Sequence, residues 1–350
     1  MTTDISRIDA HMHVWDLDVS DYAWLGPQHG ALHTSWSAEQ AARELEHAGM
    51  SGAVLVQAED SRVDTQFLLD VAGTHPWVLG VVGWVQLDDP DAAARDLDSW
   101  LRYPAFCGVR HLLNDDLRAD FLDLPTVRAS LAELARLGLP FDVHDAWPRH
   151  LDQAERLAAD LPGLVLVLDH LGKPPRGRED LGAWRGTMER VARHPNTVAK
   201  LSGLRTPDAA FTVDALREVW DIALDQFGPD RLIYGGDWPM TVPTEGYQVT
   251  WQVLSALIGE LSETEQASIL GGTGIRVYGL RQDHGDATLT GATPTDTTLT
   301  DATPTDTTLT GAKRTGATPR TTMRGTQNAA GNQSTIDRSA TEAPRRDGAL

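Results

Sequence analysis

The 350-residue chain is poor in several residue types, and each shortage narrows what it can be. Its one cysteine, Cys107, cannot form an intrachain disulfide. Thirty lysines and arginines against fifty aspartates and glutamates leave a net charge of −20. Such a field repels phosphate backbones and anionic lipid, so we expect neither nucleic acid nor a membrane surface as a partner. No run approaches the ~18 apolar residues of a membrane span. The opening MTTDISRIDAHM lacks the basic and apolar segments of a secretory signal. We therefore expect a cytoplasmic protein. The first 281 residues also contain no Gly-rich phosphate loop after an early strand, which argues against a doubly wound nucleotide-binding sheet.

Residues 282–350 lack Phe, Trp and Tyr altogether, and 19 of those 69 residues are Thr. A ten-residue repeat runs through them: TLTGATPTDT at 288, TLTDATPTDT at 298 and a decayed TLTGAKRTGA at 308. A segment this poor in large apolar residues cannot bury enough surface to offset its ordering entropy, so a disordered tail is expected. It serves as a linker or partner-binding arm, or it is a neutral repeat expansion. The charge sits elsewhere: residues 1–281 carry −19 and the tail −1.

Within 1–281, short apolar runs alternate with amphipathic stretches. The runs are 7–14, 52–58, 78–86, 107–112, 139–145, 164–170, 197–203 and 231–237. Eight strand and helix units in roughly 250 residues predict a single (β/α)₈ TIM barrel followed by the tail. Such barrels build their sites at the C-terminal ends of the strands. Polar groups stand at those ends here: His11 and His13, Trp84, Arg110, His144, His170, Lys200 and Asp237.

His11 and His13 are spaced i, i+2, which on a strand turns both imidazoles to one face. Two such rings can hold a divalent cation or polarise a carbonyl oxygen; the alternative is a pair of structural histidines bonded to backbone. Asp237 lies in GGDWP (235–239). It is either a general base acting on water or the N-cap of the next helix. His170 and Lys173 lie in DHLGKPP (169–175), and only three lysines occur in the chain: Lys173, Lys200 and Lys313. Lys173 offers a point charge to a substrate oxygen and Arg110 a two-pronged grip. Lys200 could do the same, or tie the barrel together as an ion pair. Trp84 could stack on a flat substrate or pack the barrel mouth.

Ordered blocks spread over 1–281 carry a family resemblance: IDAHMHVWD (8–16), LVQAEDS (55–61), GVRHLL (108–113), VLDHLGKPP (167–175), HPNTVAKLSGL (194–204) and FGPDRLIYGGDWP (227–239). In them the chain resembles the amidohydrolase superfamily, in particular its sugar-lactonase branch of L-fuconolactonase- and L-rhamnonolactonase-like enzymes. The resemblance implies hydrolysis of a small-molecule lactone. Asp237 would activate water, His11, His13 and His170 would stabilise the developing oxyanion, and Arg110 and Lys173 would hold substrate oxygens. It also implies alternatives: a metal-dependent decarboxylase, or a hydrolase of an aromatic-derived lactone such as 2-pyrone-4,6-dicarboxylate. Arg110 and His111 stand where binuclear members of the superfamily need a bridging lysine or glutamate, so two metals are not expected. If His144 faces the mouth, His11, His13, His144 and Asp237 form a set for one Zn-like ion; otherwise the reaction proceeds without metal.

Overall fold

The computed structural model describes residues 7–280 except Glu179. The expected Thr-rich tail lies outside the described residues. Eight parallel strands run in the order β1 to β8: β1 (Ile8–Met12), β2 (Gly52–Val56), β3 (Val78–Gly83), β4 (Phe106–His111), β5 (Phe141–Val143), β6 (Leu166–Leu168), β7 (Thr197–Leu201) and β8 (Leu232–Tyr234). The seam between β8 and β1 closes by a parallel bridge from Met12 to Trp238. Two backbone bonds flank it, His13 N–H to the Trp238 carbonyl at 2.7 Å and Asp237 N–H to the His11 carbonyl at 2.8 Å. The architecture is the expected TIM barrel.

Helices separate the strands: α1 (Ala38–Ala48), α2 (Arg62–Thr74), α3 (Pro90–Trp100), α4 (Pro125–Leu137), α5 (Leu151–Asp160), α6 (Gly182–Ala192) and α7 (Val213–Phe227). After β8 come α8 (Gly246–Ile258), α9 (Glu263–Ala267) and α10 (Thr273–Tyr278). Local chemistry marks their ends. Ser37 caps α1 by accepting from Gln40 N–H, and Thr212 caps α7 by accepting from Ala215 N–H. Among the described residues no helix is long and apolar enough to cross a membrane.

Strand alternation sorts the core into two clusters. Leu55, Val81, Val109, Phe141, Leu166, Leu168 and Leu201 belong to the large cluster between barrel and helices. Ile8, Ala10, Val54, Val56, Val82, Val167, Val198 and Ile233 form a second cluster inside the barrel, joined by Tyr278 and Leu280 from the end of α10. This apolar floor forces the inward-facing polar residues of the same strands up to the mouth. Seven of the eight strands are shorter than their apolar runs, because the chain turns into the loops, and β4 matches its run in length one residue earlier. His170, Leu171 and Lys173, for example, have φ of 57°, 53° and 65°.

Candidate active site

Among the described residues six non-glycine residues adopt positive φ, and five of them sit in the loops leaving β5, β6 and β8: Asp145, His170, Leu171, Lys173 and Asp237. L-residues rarely occupy this region, and such strain persists where surrounding structure holds it, commonly at working sites. Glycines on the neighbouring loops make room for it. A Cβ at Gly203, itself at φ 54°, would overlap the His170 ring, and one at Gly236 would overlap the Tyr247 ring.

Below the mouth lies a buried ionic layer. Lys200, fully enclosed, reaches Asp142 Oδ2 at 2.6 Å, Asp169 Oδ1 at 3.0 Å and His11 Nδ1 at 3.1 Å. Asp142 also accepts from the Tyr278 hydroxyl at 2.9 Å. Burial opposes the ammonium, but the two carboxylates outweigh it and raise the Lys200 pKa above its ordinary value. Lys200 is thus the ion pair that ties the barrel together. Arg110 extends the layer upward. Its Nη1 lies 3.2 Å from Asp169 Oδ2 and 3.4 Å from His11 Nε2, and its Nη2 donates to the Gln57 carbonyl.

Above this layer the imidazoles converge on Asp237. Its Oδ1 lies 3.5 Å from His13 Nε2 and 3.8 Å from His11 Nε2. Burial works to raise the Asp237 pKa, but His170, His13 and His11 around the carboxylate more than offset it and hold it below the usual range. His13 Nδ1–H donates to the Val56 carbonyl at 2.7 Å, which orients the ring and turns Nε2 toward Asp237. His170 Nδ1 pairs with the Ser202 hydroxyl at 2.9 Å. Burial lowers the pKa of His11, His170 and His144, the last to about 4, so all three rings are neutral at pH 7.

His13, Arg110, His144, His170, Lys173 and Asp237 line one cavity of about 420 Å³, together with Trp15, Trp24, His29, Asn114, Asp115 and Met240. His11 sits just beneath them, fully buried. Trp84 is not among the lining residues. Its indole N–H instead points to His111 Nδ1 at 3.4 Å, behind a ring stacked on Phe121 and flanked by Asp60 and Asp116.

The expected metal set needs correction. His144 does face the mouth, two residues beyond the inward-pointing Asp142, but it groups with Asp145 and His170 rather than with His11, His13 and Asp237. A second trio is His11, His170 and Asp237; within each trio the ligand atoms lie within 4.8 Å of one another. The His144 ring lies against that of His170, with centroids 6.3 Å apart. Two neutral imidazoles and an ionised carboxylate, as in the second trio, are a donor set suited to one divalent cation.

The residues missed in the sequence are Asp142 of the ionic layer and the loop residues of the cavity wall. Asp142 had a readable signal: an aspartate inside an apolar strand, two residues before His144. Trp15, Trp24 and Met240 had none, since loops bring them in.

A closed barrel that gathers histidines from β1, β5 and β6 and an aspartate from β8 at one mouth defines a hydrolytic (β/α)₈ barrel. Residues 8–280 match the family described as Amidohydrolase, and the chain belongs to that family. It is 34% identical over 289 residues to an L-fucono-1,5-lactonase from Burkholderia ambifaria, covering 80% of this chain and 98% of that one. A crystal structure of an amidohydrolase from Burkholderia multivorans with bound Zn superposes with a TM-score of 0.72 at 32% identity, over 79% of this chain and 99% of that one. A 2,6-dihydroxybenzoate decarboxylase, at 17% identity and a TM-score of 0.56 over 78% of this chain and 98% of that one, shares the fold alone.

Proposed function

We propose that this protein is a carboxylic ester hydrolase that opens the ring of a sugar-acid lactone. The observation that carries the reading is the Asp237 carboxylate, held in the cavity with its Oδ1 3.5 Å from His13 Nε2 and 3.8 Å from His11 Nε2. A water molecule in the cavity that donates to this carboxylate lies beside the imidazoles, ready to be activated. Asp237, ionised and buried, takes a proton as the water oxygen bonds to the lactone carbonyl carbon. Negative charge then develops on the carbonyl oxygen, where Arg110 and the neutral His170 face the cavity. Collapse breaks the ring C–O bond, and the leaving alkoxide recovers the proton from Asp237. No covalent enzyme intermediate is needed, because an activated ester is open to direct attack.

The cavity volume falls within the roughly 300–1,000 Å³ of small-molecule sites and accommodates a six-carbon lactone. Trp15 and Trp24 offer apolar faces to the ring, and Lys173 offers its ammonium to a ring oxygen or hydroxyl. The likeness to L-fucono-1,5-lactonase supports a 6-deoxy-sugar lactone as the first substrate to test. If a divalent cation binds, His11, His170 and Asp237 are the residues that would hold it, and it would add Lewis-acid polarisation. A cytoplasmic place in carbohydrate breakdown suits a chain whose single cysteine is buried and unpaired. Incubation with a panel of aldonolactones at neutral pH, reading acid release, tests the proposal. Release from none of them refutes it.

A further inference from the structure

Three carboxylates line the cavity, and their surroundings differ. Asp237 is ringed by imidazoles and acts as the base, and Asp115 is exposed. Asp145, in the loop leaving β5, is the third. Its backbone has φ of 38°, a strained conformation for a residue with a side chain, which persists only where surrounding structure holds it. The neighbouring loop does so. Trp147 N–H donates to the Gly172 carbonyl at 2.8 Å, which joins the loops after β5 and β6 two residues beyond Asp145 and one before Lys173.

The side chains of Asp145 and Lys173 come together in the cavity wall as a wide ion pair. Asp145 Oδ2 lies 3.8 Å from Lys173 Nζ and 3.8 Å from His144 Nε2, beyond hydrogen-bond reach of either. Lys173 donates one of its three protons to the Gly203 carbonyl at 3.1 Å and keeps two for other acceptors. Asp145 Oδ1 is enclosed and has no hydrogen-bond partner among the described residues, while 20% of the side chain stays open to the cavity. Oδ2 is therefore the atom a ligand can reach. Burial works to raise the Asp145 pKa, but His144, Lys173 and His170 more than offset it and hold the carboxylate below its usual range. An ionised carboxylate with no protein donor on its reachable oxygen takes hydrogen bonds from whatever fills the cavity.

We propose that Asp145 is a specificity-determining residue of this site and that, with Lys173, it reads a ring hydroxyl of the lactone. An oxygen about 2.8 Å from each charged atom spans the gap between them. A hydroxyl placed there donates to Asp145 Oδ2 and accepts from Lys173 Nζ at once. A carbonyl or ring oxygen has no proton for the carboxylate, and a methylene serves neither partner. Lactones without hydroxyls therefore displace water from the carboxylate and return nothing, which selects against them. A 6-deoxy-1,5-lactone keeps its ring hydroxyls and meets the requirement with a methyl group as its only exocyclic carbon. The assignment rests on the lactonase reading for the nature of the ring, while the selection for hydroxyls is measured separately, by binding.

The test uses L-fucono-1,5-lactam and 6-methylpiperidin-2-one, titrated calorimetrically into the full chain. The two share a ring, its amide and its methyl group, and only the first carries hydroxyls. Their amides resist hydrolysis, so the titration reads binding alone. Wild type is expected to prefer the hydroxylated lactam. Asp145→Gly, which suits the positive φ and removes the carboxylate, is expected to reduce that preference about tenfold or more, the effect of a hydrogen bond to a charged group. Asp145→Asn, which also tolerates this backbone and keeps a neutral acceptor, is expected to fall between the two. An equal loss of affinity for both lactams would show a merely structural residue and overturn the proposal. An unchanged preference in Asp145→Gly, or no preference in wild type, would overturn it as well. A preference that follows Asp145 in a protein that opens no lactone would support the hydroxyl site and remove the lactonase reading.

Discussion

Asp237 Oδ1 and His13 Nε2 stand 3.5 Å apart, and the second nitrogen of His13 is already bound to the Val56 carbonyl at 2.7 Å. The bond to Val56 orients the His13 ring, and the Asp237 carboxylate is presented to the cavity beside it. Replacing Asp237 with Asn keeps the shape and removes the base. We predict that Asp237→Asn lowers kcat for lactone opening by about 10³-fold, within the ~10²–10⁴ typical of a general base. Steady-state kinetics by acid release checks this, with the circular dichroism spectrum unchanged.

Arg110 is pinned from two sides, by Asp169 Oδ2 at 3.2 Å and by the Gln57 carbonyl. A lysine has one nitrogen and cannot keep both anchors while facing the cavity. Arg110→Lys is therefore expected to cost about 10²-fold in kcat/KM, the size of a lost oxyanion donor, although the charge is retained. The comparison is made on the same lactone as for Asp237→Asn.

Lys200 is held for stability. Removing its ammonium leaves Asp142 and Asp169 buried without their shared counter-ion. Breaking a buried pair in this way costs on the order of 3–5 kcal/mol. Lys200→Met should lower the thermal midpoint substantially, and adding Asp142→Asn should recover part of the loss. Thermal unfolding followed by circular dichroism measures both.

Asp64, at the start of α2, accepts from the Tyr22 hydroxyl at 2.8 Å and from Ala58 N–H at 2.9 Å, yet burial raises its pKa to about 7. Its folded-state pKa lies above the unfolded value, so between about pH 4 and 7 the folded chain binds more protons than the unfolded one. This group's contribution to stability is largest below pH 4 and declines as pH rises to 7. The buried neutral histidines His11, His144 and His170 run in the opposite direction. The contribution of Asp64 is therefore isolated by difference: the stability of wild type relative to Asp64→Asn should fall steadily from pH 4 to 7. Denaturant unfolding at four pH values reads it.

Much of this molecule was legible in the sequence for a physical reason. Parallel barrel strands are buried on both faces, so they read as continuous apolar runs such as LVLVL at 164–168; seven of the eight runs contain their strand whole, and β4 begins one residue before its run. The polar residues that interrupt their ends are costly to bury without function or pairing, which is why His11, His13, Arg110, His170 and Asp237 stood out. The geometry assembles those five at one mouth. Two things were not legible. The partners of His144, Asp145 and His170, are set by side-chain packing in the loops, which strand alternation does not encode. Whether Lys200 serves the substrate or the scaffold depends on its distance to Asp142 across two strands. Trp84 shows the same limit: its position at a strand end is correct, but its indole turns to His111 rather than into the cavity.

The account turns on water, activated at Asp237, adding to the carbonyl of a lactone. The most direct measurement is incubation of the purified chain with L-fucono-1,5-lactone in ¹⁸O-enriched water, followed by mass analysis of the products. The account predicts rapid formation of the open-chain acid with one ¹⁸O in its carboxylate and the ring oxygen retained as an unlabelled hydroxyl. An ¹⁸O label in that hydroxyl, or no ring opening beyond the uncatalysed rate while a carboxylated phenol loses CO₂ under the same conditions, would contradict it.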